Sequence, residues 1–204
     1  MTLVSRSPNI LVVHSALPVT SVQQLIALAK KRPGELNYAT GSTGASNHIA
    51  AELFKAMSGA NIVRIPFKNG SLESAALMSG EVQIMFGSVS MMPYVRSGRL
   101  RALAVTSAKP SPLFPEMPTV ASAGLPGYES GSFYAIFAPA GTPAAIVSRL
   151  QRDSAQVLQV AEVRERYAKA GMESVGSTPE ELATLVRNDI ARLGKLIREA
   201  GIRE

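Results

Sequence analysis

From residue 10 to residue 106 the chain alternates short apolar runs with amphipathic stretches, joined by links of only a few residues. Ile10, Leu11, Val12 and Val13 form a buried-strand candidate. Thr20 or Ser21 then caps a helix carrying Val22, Leu25, Ile26 and Ala29, the i, i+3, i+4, i+7 spacing of one helical face. Pro33-Gly34 ends it. The same rhythm predicts strands over 36–39, 61–67, 82–86 and 100–106, and helices over 46–57, 71–79 and 89–97. Strands alternating with helices over short links predict a parallel sheet covered on both faces.

Beyond residue 106 the texture changes. Five prolines (Pro110, Pro112, Pro115, Pro118, Pro126) stiffen the segment 107–127. Proline fixes φ and has no N–H for a ladder, so this stretch is expected to be extended, outside sheet and helix. A strand is expected over 134–138. Gly141-Thr142-Pro143 then reads as a helix start with Thr142 as N-cap. A further helix over 161–170 ends at Gly171, and Thr178-Pro179-Glu180-Glu181 is a capping box opening a long helix with Leu182, Leu185, Ile190, Leu193 and Ile197 inward.

Composition narrows the chemistry. Without cysteine there are no disulfides, thiolate metal sites or thiol nucleophile, and two histidines, His14 and His48, are too few for a His-rich metal site. No cofactor is expected. Lys plus Arg is 21 against 15 Asp plus Glu, a formal charge of +6. The basic residues are scattered, and Arg187, Arg192, Lys195, Arg198 and Arg203 alternate with acids along a solvated C-terminal face. That distribution argues against nucleic acid and leaves an anionic small molecule as a partner. No apolar stretch reaches the roughly 20 residues of a membrane span, and the N-terminal residues lack a signal-peptide layout.

The run YATGSTGASNH, residues 38–48, sits between a strand and a helix, at the carboxyl edge where open α/β sheets bind ligands. A helix start leaves about four backbone N–H groups without internal partners and carries partial positive charge. Thr40, Ser42, Thr43 and Ser46 add hydroxyls, and Gly41 and Gly44 let the main chain approach a ligand. Together they suit a carboxylate or phosphate oxygen. The run matches neither a P-loop nor G-x-G-x-x-G, and Ser46 as an ordinary N-cap is the plain alternative.

Ser88 follows another strand and could contact a ligand or cap the next helix. Gly87-Ser88-Val89-Ser90-Met91 lacks the second glycine of a hydrolase elbow. Phe67 could wall a pocket, Lys68 could attract an anion or stand solvated, and His48 is expected to be structural. No paired carboxylates, catalytic triad or metal cluster is visible, which favours binding over chemistry.

The stretches LNYATGSTGASNHIAAELF, RIPFKNG and SGEVQIMFGSVSMMPYVRSGRLRALAVTSAKPSPLFPEMPTVASAGLPGYESGSFYAIFAPAGTP closely resemble the Bug family, the extracytoplasmic solute receptors of tripartite tricarboxylate transporters. The resemblance spans nearly the whole chain. It implies a periplasmic binding protein fold of the second type: α/β, with parallel-rich sheets covered by helices. It implies a periplasmic protein whose lobes close on a small organic anion and deliver it to membrane permease subunits. Carried onto this sequence, it adds Thr40, Gly44, Ala45, Ser46, Phe67, Gly87 and Ser88 as contacts, with Ser132 and Tyr134 near the hinge side. Three positions depart from the family's habit: Ala45 for Ser or Thr, Phe67 for tyrosine, and Gly87 where many members carry aspartate. Loss of that acid favours a plain carboxylate over an amino acid.

The resemblance further implies a complete second lobe over 9–130 and a returning C-terminal part of the first lobe over 131–204, with the first half-lobe missing. The regulator effector domain and a small α/β hydrolase using Ser88 and His48 stay as alternatives. Helix faces left without their usual neighbours would expose apolar surface worth roughly 25 cal/mol per Å². We therefore expect another surface to cover them, most simply a second copy of the chain. Size-exclusion chromatography with light scattering should give a dimer's mass; a monodisperse monomer contradicts the expectation.

Overall fold

The computed structural model describes residues 1–202, so Arg203 lies outside the described residues. It divides into two compact units, one of Pro8–Gly131 and one of Met1–Ser7 with Ser132–Arg198.

In the larger unit the elements are β2 (Ile10–His14), α1 (Val22–Lys31), β3 (Asn37–Thr40), α2 (Ser46–Ser58), β4 (Val63–Pro66), α3 (Gly70–Ser79), β5 (Ile84–Gly87), α4 (Met92–Arg96) and β6 (Leu100–Val105). A 3-10 turn, Val89–Met91, leads into α4. Ser21 caps α1 by accepting the Gln24 amide at 3.2 Å. Left-handed Gly59 and Gly80 stop α2 and α3, which a residue with a Cβ would do only under strain.

The strand order is β4-β3-β5-β2-β6. β3 runs parallel to β4 and β5, but β2 runs antiparallel to both β5 and β6. The expectation of parallel neighbours throughout is therefore corrected to a mixed sheet. Alternation of elements does not encode strand direction. Ile10, Leu11, Val12 and Val13 are fully buried because β2 lies between two partners and under helices. Phe54 on α2 meets Phe86 on β5 with ring centroids 5.7 Å apart and a 60° tilt.

The proline-rich segment forms no strand of its own, but it packs back on the sheet. Val105 N–H donates to Pro118 O and the Val120 N–H donates to Val105 O, both at 2.9 Å. Val120 and Tyr128 are buried, and the Tyr128 hydroxyl donates to Ala50 O at 2.8 Å.

The smaller unit holds β1 (Thr2–Ser7), β7 (Ser132–Ile136), α5 (Ala144–Gln159), α6 (Ala161–Lys169), β8 (Glu173–Ser174) and α7 (Pro179–Glu199), with the antiparallel order β7-β1-β8. β1 escapes the sequence pattern because its polar residues are buried by hydrogen bonds: Thr2 Oγ1 donates to Ser177 O at 2.7 Å, and Ser177 Oγ accepts from Leu3 N at 2.9 Å. The capping box forms in both directions, Thr178 N–H to Glu181 Oε2 and Glu181 N–H to Thr178 Oγ1. Thr142 does not cap α5; its hydroxyl turns back to Pro139 O, and Pro143 takes the cap position. On α7, Leu182 and Leu196 are buried, whereas Ile190 is 69% and Ile197 38% exposed. At 100° per residue Ile190 lies about 80° round the helix from Leu182, off the packed stripe.

Replacing Phe54 by alanine removes the ring that joins α2 to β5. We expect a loss of about 3–5 kcal/mol in urea unfolding, with little change in far-UV circular dichroism of the native state.

Candidate functional site

The register of the larger sheet brings the ends of β3 and β5 to one rim. Ile10 pairs with Gly87 and Ala39 with Met85, so the chain leaving β3, the chain leaving β5 and Asn9 ahead of β2 come together there. A cavity of about 690 Å³ opens at this rim.

The loop after β3 is tied down from the neighbouring strand. Arg64 on β4 donates from Nε to Thr40 Oγ1 at 2.9 Å, from Nη2 to Gly41 O at 3.2 Å and from Nη1 to Thr43 Oγ1 at 3.3 Å. Gly44, at φ +79°, donates its amide to His48 Nδ1 at 3.0 Å, and the Ala45 amide donates to Ser42 O. His48 is buried, and burial first, then the charge of Arg64, lower its proton affinity. It is a neutral acceptor that closes the loop.

What remains free is the start of α2. Its N-cap, Ala45, has no side chain to accept a hydrogen bond, and no described residue accepts the amides of Ser46 or Asn47. α3 begins beside it: Asn69 Oδ1 accepts the Leu72 amide at 3.0 Å, and no described residue accepts those of Gly70 and Ser71. Both helix starts line the cavity, with the hydroxyls of Ser46, Ser71, Ser74, Ser88 and Ser90. Two unpaired helix starts present N–H groups and partial positive charge to the same space. Neither lysine nor arginine lines it among the described residues.

The expected contacts separate accordingly. Gly41, Ala45, Ser46, Gly87 and Ser88 line the cavity. Thr40 is fully buried and its hydroxyl is taken by Arg64. Ser42 and Gly44 shape the loop without lining the cavity, and Phe67 packs on the core cluster beside Ile65. Lys68 is exposed and outside the lining. Ser132 and Tyr134 lie on β7 of the smaller unit, where Tyr134 is 55% exposed. Ser88 and His48 do not pair: Ser88 Oγ lies 2.8 Å from Ser90 Oγ, and His48 holds the Gly44 amide.

Sequence reasoning missed several groups. Arg64 sits inside a strand, and only the β3–β4 register shows what it clamps. Asn9 donates from Nδ2 to Phe86 O, leaving buried Oδ1 without a partner. Glu73, on α3, is 4% exposed and lines the cavity; its Oε2 accepts from Asn47 Nδ2 at 2.7 Å. Burial raises the Glu73 proton affinity, and the bond from Asn47 lowers it by less. The glycine at 87 therefore does not leave the cavity without an acid. A Cβ on Gly87 would come 2.6 Å from Met91 Cγ, so the methionine occupies the space a side chain there would need.

With this geometry in view, residues 1–202 match the pattern of the tripartite tricarboxylate transporter family receptor, TctC. The chain belongs to this family. Among relatives of this TctC-family chain, BugT of Bordetella pertussis is 34% identical over 202 residues, covering 98% of the chain and 62% of BugT. A Pseudomonas protein from the tcbD-tcbE intergenic region is 35% identical over 194 residues, 94% of the chain and 58% of that protein. The chain thus spans about three fifths of these relatives' length. An R. palustris protein solved with adipate is 37% identical with a TM-score of 0.83, over 98% of this chain and 68% of that one. MatC from Rhodopseudomonas palustris, with bound malate, is 26% identical with a TM-score of 0.76, over 96% and 68%. The periplasmic binding protein BugD is 26% identical with a TM-score of 0.78, over 99% and 69%. The fold of this chain is that of the TctC and Bug periplasmic binding proteins.

Alanine at position 87 should collide with Met91. Gly87→Ala is expected to destabilise by about 1–3 kcal/mol through overpacking. Combined with Met91→Ala, the total loss in thermal or urea unfolding should be smaller than the sum of the two single losses.

Proposed function

We propose that this chain binds a small organic carboxylate in the cavity of its larger unit, as a periplasmic solute receptor that delivers the ligand to membrane permease subunits. One observation carries the reading: two helix starts with unpaired amides line one cavity with serine hydroxyls and without a cationic side chain. Such a site holds an anion by fixed main-chain donors, whose positions are set by the fold and lose no side-chain entropy on binding. Adipate and malate in the two similar R. palustris proteins support the ligand class. Family membership supports transport as the role.

A hydrolytic role has less support. A serine nucleophile needs a base within hydrogen-bond reach, and the Ser88 hydroxyl is bonded to Ser90 while His48 faces Gly44. Of the similar proteins of known structure, BugD is a periplasmic binding protein and the R. palustris protein was solved with adipate.

Calorimetric titration with dicarboxylates, amino acids and amines tests the reading. Dicarboxylates should bind, and Ser46→Phe, which enlarges a partly exposed side chain in the cavity lining, should weaken them at least tenfold while leaving the unfolding midpoint within a few degrees. Preferential binding of amines, or undiminished binding by Ser46→Phe, would count against it.

A further inference from the structure

Glu73 is the only Asp, Glu, Lys, Arg or His lining the cavity among the described residues. Its two oxygens have different surroundings. Oε2 accepts from the Asn47 side-chain amide at 2.7 Å. Oε1 has no hydrogen-bond partner among the described residues. It faces Gly41: a Cβ built there would lie 3.1 Å from Oε1, so the glycine keeps that oxygen uncovered. Because Oε2 is an acceptor, a proton on this carboxyl belongs on Oε1.

The charged and titratable groups on neighbouring elements are otherwise engaged or exposed. On β4, Arg64 spends its donors on Thr40, Gly41 and Thr43. On α2, His48 accepts from Gly44, and Glu52 pairs with Lys55 at 2.9 Å. Lys68 ahead of α3 is exposed, Tyr94 on α4 lines the cavity, and His14 ends β2 beside Gly80 at the far end of α3. Burial and the Asn47 bond alone set the proton affinity of Glu73, with burial the larger and upward. A ligand carboxylate entering this space would meet a second carboxylate with no cation between them. Two like charges sharing a site drive one of them to take up a proton.

We propose that Glu73 carries a proton on Oε1 in the occupied cavity and donates it to the ligand carboxylate, so that this receptor takes up one proton with its anion. The proposal rests on the anion-binding reading above and makes Glu73 the residue that selects a carboxylate over a ligand offering an ammonium group at this spot. The complex holds the proton more tightly than the free protein. Affinity is therefore complete below the pH at which free Glu73 ionises and falls as pH rises beyond it, by up to about tenfold per unit. The second ionisation of simple dicarboxylates falls near about pH 5, at the low edge of this range, and Glu73→Gln keeps it while losing the Glu73 proton, so the comparison of the two proteins separates the contributions.

Calorimetric titration of the 204-residue chain with adipate and with malate, between about pH 5.5 and pH 8, reads the effect directly. Repeating it near pH 7 in two buffers of different ionisation enthalpy gives the protons taken up. Wild type should bind at least tenfold tighter at the lower pH, with net proton uptake at neutral pH. Glu73→Gln presents an amide N–H in place of the hydroxyl and still accepts from Asn47. It should match wild-type affinity at low pH within about threefold, hold that affinity at high pH and take up no proton. A wild-type affinity that is flat or rises with pH, or a tenfold loss in Glu73→Gln at low pH, would overturn the proposal and make Glu73 an acceptor. If neither protein binds either acid at any pH, the anion-binding reading itself fails, and this one with it.

Discussion

The antiparallel run of β2 between β5 and β6 is the constraint on which the larger unit rests. β2 supplies four consecutive side chains with no solvent exposure, and its register with β5 sets Asn9 against the end of β5. Were β2 parallel to β5, its N-terminal end would lie at the opposite rim and Asn9 would be far from the helix starts. Because a one-residue slip turns every strand side chain to the other face, burial on both faces leaves β2 little freedom to shift. The rim and its cavity follow from that pairing.

At the rim the chain separates two tasks. Charged and hydroxyl side chains hold the loop: Arg64 fixes Thr40, Gly41 and Thr43, and His48 fixes Gly44. Main-chain amides at the starts of α2 and α3 face the cavity. A guanidinium engaged by three partners on its own loop adds rigidity, while the partial charges of helix starts act over a short range and in a fixed direction. The buried carboxyl of Glu73 adds to the electrostatic character that those amides give the cavity, because among the described residues it is the only Asp, Glu, Lys, Arg or His in the lining.

The fold persists across proteins that share 26–37% identity with this chain. Position 87 shows how packing constrains the rim. The space beside its Cα is filled by Met91, which comes from the turn that follows β5. The cavity holds an acid elsewhere, Glu73 on α3.

Much was legible in the sequence because it depends on neighbours along the chain. Helical faces, the Ser21 cap and the Thr178–Glu181 box are written at fixed spacings. The loop over 38–48 was legible as a helix start rich in small polar residues, and Gly41, Ala45 and Ser46 do line the cavity. Strand direction, the burial of polar β1, the clamp of Arg64 on residues 24 and 21 positions earlier and the meeting of Glu73 with Asn47 across 26 residues were not legible. Periodicity records which side of an element is apolar, but not which distant element will lie against it. The sequence by itself determined most of the elements and the edge where the cavity opens; only the tertiary structure decided which polar groups are consumed in holding that edge and which are left facing the cavity, because that choice is made by contacts between strands and helices far apart in the chain.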